Sequence, residues 1–295
     1  MIFVAGATGL LGGEVCRRLI ARGHPVRALV RETSDSAKKQ ALKERGATLV
    51  TGDLKDRGSL LAACHGATVV ISTASSTLSH QAGDSIETVD LQGQLNLVEA
   101  AKANGVDRFV FVSFRHNPLN RFPLSDAKQA VERALRDLNY TILEAGYFME
   151  VWLSPMLGFD YANAKARIYG SGESKGSWVS FHDVAEFCVA AVENPAAQRA
   201  VIEVGGPELL SPLEVVRIFE QESGRQFELD HVPEAALEAQ VHGATNPMDK
   251  SFAALMLGVA RGDAIDMRPV LEEFPIRLTS VRDYARKVLG VRGAG

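Results

Sequence analysis

The chain has 295 residues, with 32 Lys and Arg against 36 Asp and Glu for a formal charge of −4, and it is 46% hydrophobic and 23% charged. That composition belongs to a globular protein and excludes a disordered, collagenous or coiled-coil chain. With a pI near 6.0 and no basic run longer than Lys38-Lys39, neither a nucleic-acid backbone nor an anionic membrane is expected as a partner.

The length is about twice a typical ~150-residue domain and predicts two domains, or one large α/β unit with an appended lobe. Cys16, Cys64 and Cys188 are far apart, odd in number and outside any C-x-x-C pair, which reads as reduced thiols. Met1 to Gly6 lacks a basic segment, and its apolar run is too short for a signal peptide or membrane span. A cytoplasmic location is the expectation.

In chain order, the first half alternates short β-rich runs with segments of helical period, as successive βα units around a parallel sheet do. Strands are predicted at 2–5, 26–30, 48–51, 68–72, 108–112 and 141–144. Helices are predicted between them at 9–22, 36–45, 56–65, 85–104 and 125–137. In the fourth helix Ile86, Val89, Gly93, Leu97 and Ala100 form one stripe, and Gly93 within it implies close backbone packing. Gly23, Gly46, Gly66 and Gly105 each follow a helical segment, where a left-handed residue ends the helix.

Near residue 145 the rhythm gives way to Tyr147, Phe148, Met149, Trp152, Met156, Phe159 and Tyr161, then a Gly/Ser-rich, hairpin-like stretch from Gly170 to Gly176. A helix at 183–193 and a strand at 200–204 return to the sheet, and Asp183 is placed to cap that helix. The remainder is mainly helical with a short strand near 227–231, and Ser211-Pro212-Leu213-Glu214 has the order of a capped helix start. The fold class is therefore a doubly wound parallel Rossmann sheet with a smaller, mainly helical C-terminal lobe. Residues 1–150, rejoined by about 181–206, form the dinucleotide-binding domain, and 151–180 with 207–295 form the substrate-side lobe.

Directly after the first strand, Gly6-Ala7-Thr8-Gly9-Leu10-Leu11-Gly12 opens a helix. Glycines let the backbone approach a pyrophosphate, and the helix N-terminus offers N–H groups and a positive dipole end. The spacing is G-x-x-G-x-x-G. Together with Val26 to Arg31, Gly52-Asp53-Leu54, Val89 to Gly93, Asn96 to Ala101 and Arg108 to Ser113, this loop resembles the short-chain dehydrogenase/reductase superfamily, in particular its atypical, NmrA-like branch. The resemblance covers most of the chain and weakens after Gly205.

The end of the second strand selects between cofactors, since an acid there holds a ribose 2′-OH and an Arg favours a 2′-phosphate. Arg31, with Thr33, Ser34 and Lys38 to assist, favours NADP(H); Glu32 beside it keeps NAD(H) open, and Arg31 could also be a solvated strand-end charge. The resemblance implies that Asp53 and Leu54 lie beside the adenine, and that Thr73 and Ala74, within Ser72 to Ser75, pass the ribose and pyrophosphate.

Reductases of this superfamily pair a proton-donating Tyr with a Lys four residues later. The literal Tyr161 to Lys165 match follows the sixth strand instead of the fifth and is set aside. The resemblance implies Lys128 for the nicotinamide ribose, near Ser113 at the end of the fifth strand, but Leu124 stands where the Tyr would be. Tyr147, after a strand end, and His116, of the residue type whose unperturbed side chain changes charge near the working pH, are the candidate proton donors. Phe114, Tyr147, Phe148, Met149 and Trp152 are expected to wall an apolar substrate pocket. The seven histidines are scattered without ligand spacing, so no metal is expected.

The sequence thus points to an NADP(H)-dependent oxidoreductase, monomeric or homodimeric, that passes hydride to a small apolar carbonyl, quinone or other planar acceptor. The alternative is an NmrA-like regulatory protein that senses NADP(H) without turnover. Sugar-nucleotide epimerisation is disfavoured by the missing Tyr and the short C-terminal portion.

Overall fold

The computed structural model describes residues 1–79, 81–117 and 121–291. The chain divides into two compact units: Met1–Ser113 with Pro123–Glu144 and Val184–Ile202, and Phe114–Phe122 with Ala145–Asp183 and Glu203–Gly295.

The first unit follows the predicted rhythm: β1 (Ile2–Ala5), α1 (Leu10–Ala21), β2 (Val26–Val30), α2 (Ser36–Glu44), β3 (Thr48–Thr51), α3 (Arg57–Ala63) and β4 (Val69–Ser72). A π-helical turn (Ile86–Leu91), α4 (Gln92–Ala103), β5 (Arg108–Phe114), α5 (Pro123–Ala134) and β6 (Tyr140–Ala145) continue it, and α7 (Phe181–Glu193) and β11 (Ala200–Val204) return later in the chain. The strands form one seven-stranded parallel sheet in the order β11-β6-β5-β4-β1-β2-β3. β1 is buried along its whole length, which explains its unbroken apolar run. The chain runs outward from β1 to β3 and then starts again on the other side at β4, so the topological switch lies between β1 and β4. Ligands of open α/β sheets bind beyond the strand ends at that position.

Phe3, Phe109, Phe111, Leu60, Leu97, Leu135 and Ile142 fill the core of this unit. Gly23, Gly46, Gly66 and Gly105 all adopt positive φ after their helices. The predicted single helix at 85–104 is instead a π-helical turn followed by α4, opened by a reciprocal Ser85–Thr88 capping box. A Cβ on Gly93 would lie 2.8 Å from the Thr88 carbonyl oxygen and 2.9 Å from Leu54 Cβ, which gives the close packing expected there.

The second unit contains β7 (Tyr147–Phe148), α6 (Met149–Trp152), β8 (Phe159–Asp160), β9 (Lys165–Tyr169) and β10 (Gly176–Val179). After β11 come β12 (Leu209–Leu210), α8 (Pro212–Ser223), β13 (Glu228–Val232), α9 (Glu234–Gly243), α10 (Pro247–Arg261), α11 (Arg268–Glu273) and α12 (Val281–Leu289). The Gly170 to Gly176 stretch is not a hairpin: β9 joins β8 and β13, whereas β10 joins β7 and β12. Gly170 and Gly172, with φ of 68° and 76°, redirect the chain from one small sheet to the other.

Ser211 and Glu214 form the expected capping box at α8. Asp183 does not precede the helix it was expected to cap. It lies inside the first turn of α7, and its carboxylate accepts from Thr279 N and Oγ1 at 2.7 and 2.9 Å. Glu150 serves the start of α7 instead, accepting from Phe181 N at 3.0 Å and Ser180 Oγ at 2.5 Å. Among the described residues no helix is long and apolar enough to cross a membrane. The three cysteines are free and buried, and burial raises the thiols of Cys16 and Cys64 to about 12 and 11.

Candidate functional site

The turn after β1 is built from contacts only glycine permits. Gly6 sits at φ 82°, and a Cβ there would lie 2.7 Å from Thr73 Oγ1 and 2.8 Å from Ala74 N. A Cβ on Gly12 would overlap the Gly6 carbonyl and lie 2.7 Å from Thr73 Oγ1, so α1 starts directly against the loop. Gly9 donates to Gly6 O at 2.9 Å. Thr73 ties β4 to β1 through N and Oγ1, which donate to Ala5 O at 3.1 and 3.2 Å. Ala7 and Leu11 are buried beneath the loop, while Thr8 is half-buried and Gly9 and Leu10 are exposed.

α1 begins at Gly9 with no side-chain cap and no acidic residue in its first turn, whereas Asp35, Asp56 and Ser85 cap the helices that follow them. The positive end of α1 is therefore open to an external anion, in a cradle narrow enough for backbone contact alone. These residues fit a dinucleotide pyrophosphate.

Arg31 and Ser34 close a turn at the end of β2, where Ser34 Oγ accepts from Arg31 N at 3.0 Å. The Arg31 guanidinium donates to Asp84 at 2.7 Å, and Lys55, immediately after Asp53-Leu54, pairs with the same carboxylate. Arg31 is thus not a solvated strand-end charge. Burial would raise the Asp84 carboxyl, but hydrogen bonds from Arg31, Lys55 and Ser79 outweigh it and hold it at about 2. Asp53 lies 3.4 Å from Lys55 Nζ, and Leu54 is anchored by Asn96 Nδ2 donating to its carbonyl at 3.0 Å. Sequence reasoning did not single out Lys55 or Asp84; the basic residue following Gly52-Asp53-Leu54 was the available clue.

Gln94 clamps the loop after β4: its Oε1 accepts from Ser72 Oγ and its Nε2 donates to Ala74 O, both at 2.8 Å. Asp90 takes Ser76 N and Oγ at 3.0 and 2.5 Å through Oδ2, while its buried Oδ1 has no hydrogen-bond partner. Both are polar residues on the buried side of the segment carrying the apolar stripe, the pattern that would have revealed them.

Lys128, on α5, is only 7% exposed, so it is not a solvated helix lysine. Its Nζ donates to Val112 O at 3.0 Å and lies 4.9 Å from the Phe111 ring centroid. Burial lowers its pKa, opposed by the charges of Asp90 and Glu132. Ser113 Oγ donates to Glu132 Oε1 at 2.6 Å, so Glu132 joins Ser113 and Lys128 in one polar group at the end of β5. Leu124, one turn before Lys128, is buried and apolar.

In the second unit, Tyr147 packs against Trp152 and Trp178, each at a ring-centroid distance of 5.5 Å. Burial and the nearby Asp263 charge raise its phenol above the ordinary range, so the proton is held more tightly than an efficient acid requires. Phe148 and Trp152 are half-buried. Met149 is fully buried in the core with Phe219, Trp178 and Leu257, which makes it packing and not pocket wall. Phe114 stacks on Phe122 at 5.8 Å and lies 5.2 Å from the His116 ring. The discounted Tyr161 to Lys165 stretch contains a turn and ends in β9, so its two side chains do not share a helix face.

The NmrA-like family model matches residues 1–267. The photosystem II assembly factor Ycf39 of Synechocystis is 31% identical, with 98% of this chain and 90% of that protein covered. The isoflavone reductase homolog IRL of Zea mays is 31% identical, with 98% of each covered. Among solved structures, the NADPH complex of the Escherichia coli quinone oxidoreductase QOR2 superposes with a TM-score of 0.78 at 23% identity, covering 98% of this chain and 99% of that one. From the loop after β1 to the helices of the second unit, this chain belongs to the NmrA-like family.

Proposed function

We propose that this chain is an NADP(H)-dependent reductase that passes hydride to a small apolar carbonyl, quinone or other planar acceptor. The observation that carries the reading is the cradle of Gly6, Gly9 and Gly12 at an uncapped helix start, with Arg31 and Lys55 converging at the end of β2 and β3. Relatives and structural neighbours named as reductases or oxidoreductases, several of them with NADPH or NADP+, support it. Residues 1–150, rejoined at 181–206, hold the cofactor, and the remaining segments supply the substrate side. The enzyme is cytoplasmic and a monomer or homodimer.

A nicotinamide held here would supply the hydride. The N-terminus of α1 would hold the pyrophosphate, Arg31 and Lys55 would meet the 2′-phosphate, and Asp53 and Leu54 would flank the adenine. Lys128, fixed by Val112 O and balanced by Asp90 and Glu132, would position the nicotinamide ribose. Phe114, Phe148 and Trp152 offer apolar and aromatic surface to a planar acceptor, and His116 can deliver a proton. Tyr147 supports that surface, and burial, which raises its phenol, counts against it as the donor.

NADPH oxidation across a panel of quinones, aldehydes, ketones and cationic dyes tests the assignment, with turnover expected on at least one planar acceptor. Tight NADPH binding with no turnover on any of them would instead support a cofactor-sensing protein. The buried Leu124 in place of an acid favours that second reading, and several relatives are named as assembly factors.

A further inference from the structure

Two cations and two carboxylates meet at the ends of β2 and β3, so the formal charges of Arg31, Lys55, Asp53 and Asp84 sum to zero. Asp84 is the centre of the group. Its side chain is 3% exposed, and its oxygens accept from Arg31 Nη1 at 2.7 Å, from Ser79 Oγ at 2.5 Å and from the Lys55 ammonium. The segment carrying Asp84 is also tied to the loop after β2 by Gln81 Nε2, which donates to Thr33 O at 3.2 Å, and by the Thr33–Gln81 side-chain pair.

A guanidinium, an ammonium and a hydroxyl around one anion are the donor set that a phosphate monoester recruits. A 2′-phosphate carries roughly −1.5 to −2 charges near neutral pH, by analogy with other phosphate monoesters. Added beside the intact group, it would face two carboxylates while both cations were already paired. Resting on the NADP(H) reading above, we propose that Asp84 is an internal stand-in for the 2′-phosphate. Its carboxylate holds Arg31 and Lys55 in place and is displaced when 2′-phosphorylated adenosine binds. Asp84 thereby sets the strength of 2′-phosphate binding, and displacing it loosens the connection between Gln81 and the loop after β2.

Calorimetric titration with adenosine 2′,5′-bisphosphate and adenosine 5′-monophosphate isolates the contribution of the one phosphate. Asp84→Asn keeps the shape and removes the competing charge. It is expected to tighten bisphosphate binding roughly tenfold while leaving the monophosphate within about twofold. In a folded Asp84→Asn protein, unchanged or weaker bisphosphate binding overturns the displacement.

Hydrogen exchange on the unaltered protein gives a check that no misfolded variant can confuse. The bisphosphate should speed amide exchange at residues 81–85 relative to the monophosphate, and slower or equal exchange there would count against displacement. Failure of the underlying reading looks different. The unaltered protein would then bind both nucleotides equally and Arg31→Ala would change neither affinity, removing the NADP(H) assignment and the displacement with it.

Discussion

Lys128 is a buried cation whose Nζ donates to Val112 O and whose charge is favoured by Asp90 and Glu132, so its removal acts on both stability and catalysis. Lys128→Met keeps the aliphatic volume but leaves two buried carboxylates without their cation, at an expected cost of roughly 3–5 kcal/mol in folding stability. In the protein that remains folded, kcat/KM should fall about 100-fold through lost positioning. The pH dependence has a definite sign. With the folded-state pKa lowered from 10.5, the unfolded chain holds the extra proton at alkaline pH. This group therefore makes stability rise with pH between the lowered value and 10.5, and the contribution should vanish in Lys128→Met when followed by urea unfolding.

Asp84 has the opposite titration. Its carboxyl lies at about 2 in the folded protein against an ordinary 3.8, so its contribution is complete above 3.8 and is lost as pH falls through about 2. Asp84→Asn should flatten the stability–pH curve across that interval in a denaturant series. An unchanged slope would show that the pairs with Arg31 and Lys55 persist, or are irrelevant, in the unfolded reference.

At the scale of elements, the start of α1 is the most constrained contact in the first unit. Gly12→Ala would drive a methyl group into the Gly6 carbonyl and against Thr73, both fixed by backbone bonds to their neighbours. A loss of roughly 2–3 kcal/mol in folding stability is expected from such overpacking, together with loss of dinucleotide binding. Ser211→Ala at α8 removes one capping hydrogen bond in the second unit and should cost about 1 kcal/mol while leaving cofactor affinity unaltered. Denaturant titration with and without NADPH separates the two effects.

The strands of the sheet and the helix starts were legible in the sequence because alternation, capping residues and terminal glycines are local properties. The π-helical turn was not. Its extra residue per hydrogen-bonded turn changes which side chains face inward without breaking a hydrophobic stripe, so the stripe alone did not show that the inward-facing Asp90 would meet Ser76. Asp183 misled for a related reason: α7 starts two residues earlier than expected, where Ser180 Oγ accepts from His182 N and the distant Glu150 accepts from Phe181 N.

For the whole molecule, cofactor binding should appear as added stability. NADPH at a hundredfold excess over its Kd contributes about 2.7 kcal/mol to the folded state, enough to raise the melting temperature by several degrees. Arg31→Ala should remove most of the NADPH increment and little of any NADH increment in a thermal shift measurement. Equal losses would show that the Arg31–Lys55 pair does not read the 2′-phosphate.

The sequence by itself determined the parallel sheet, the glycine loop that opens α1, the Arg at the end of β2 and the Lys on α5, because each is written in the order and spacing of neighbouring residues. Only the tertiary structure decided what surrounds them. It paired Asp84 with Arg31 and Lys55, set Glu132 beside Ser113 and buried Met149 in the core. Charge balance and burial depend on residues brought together from distant parts of the chain, and no local pattern records which carboxylate will meet which cation.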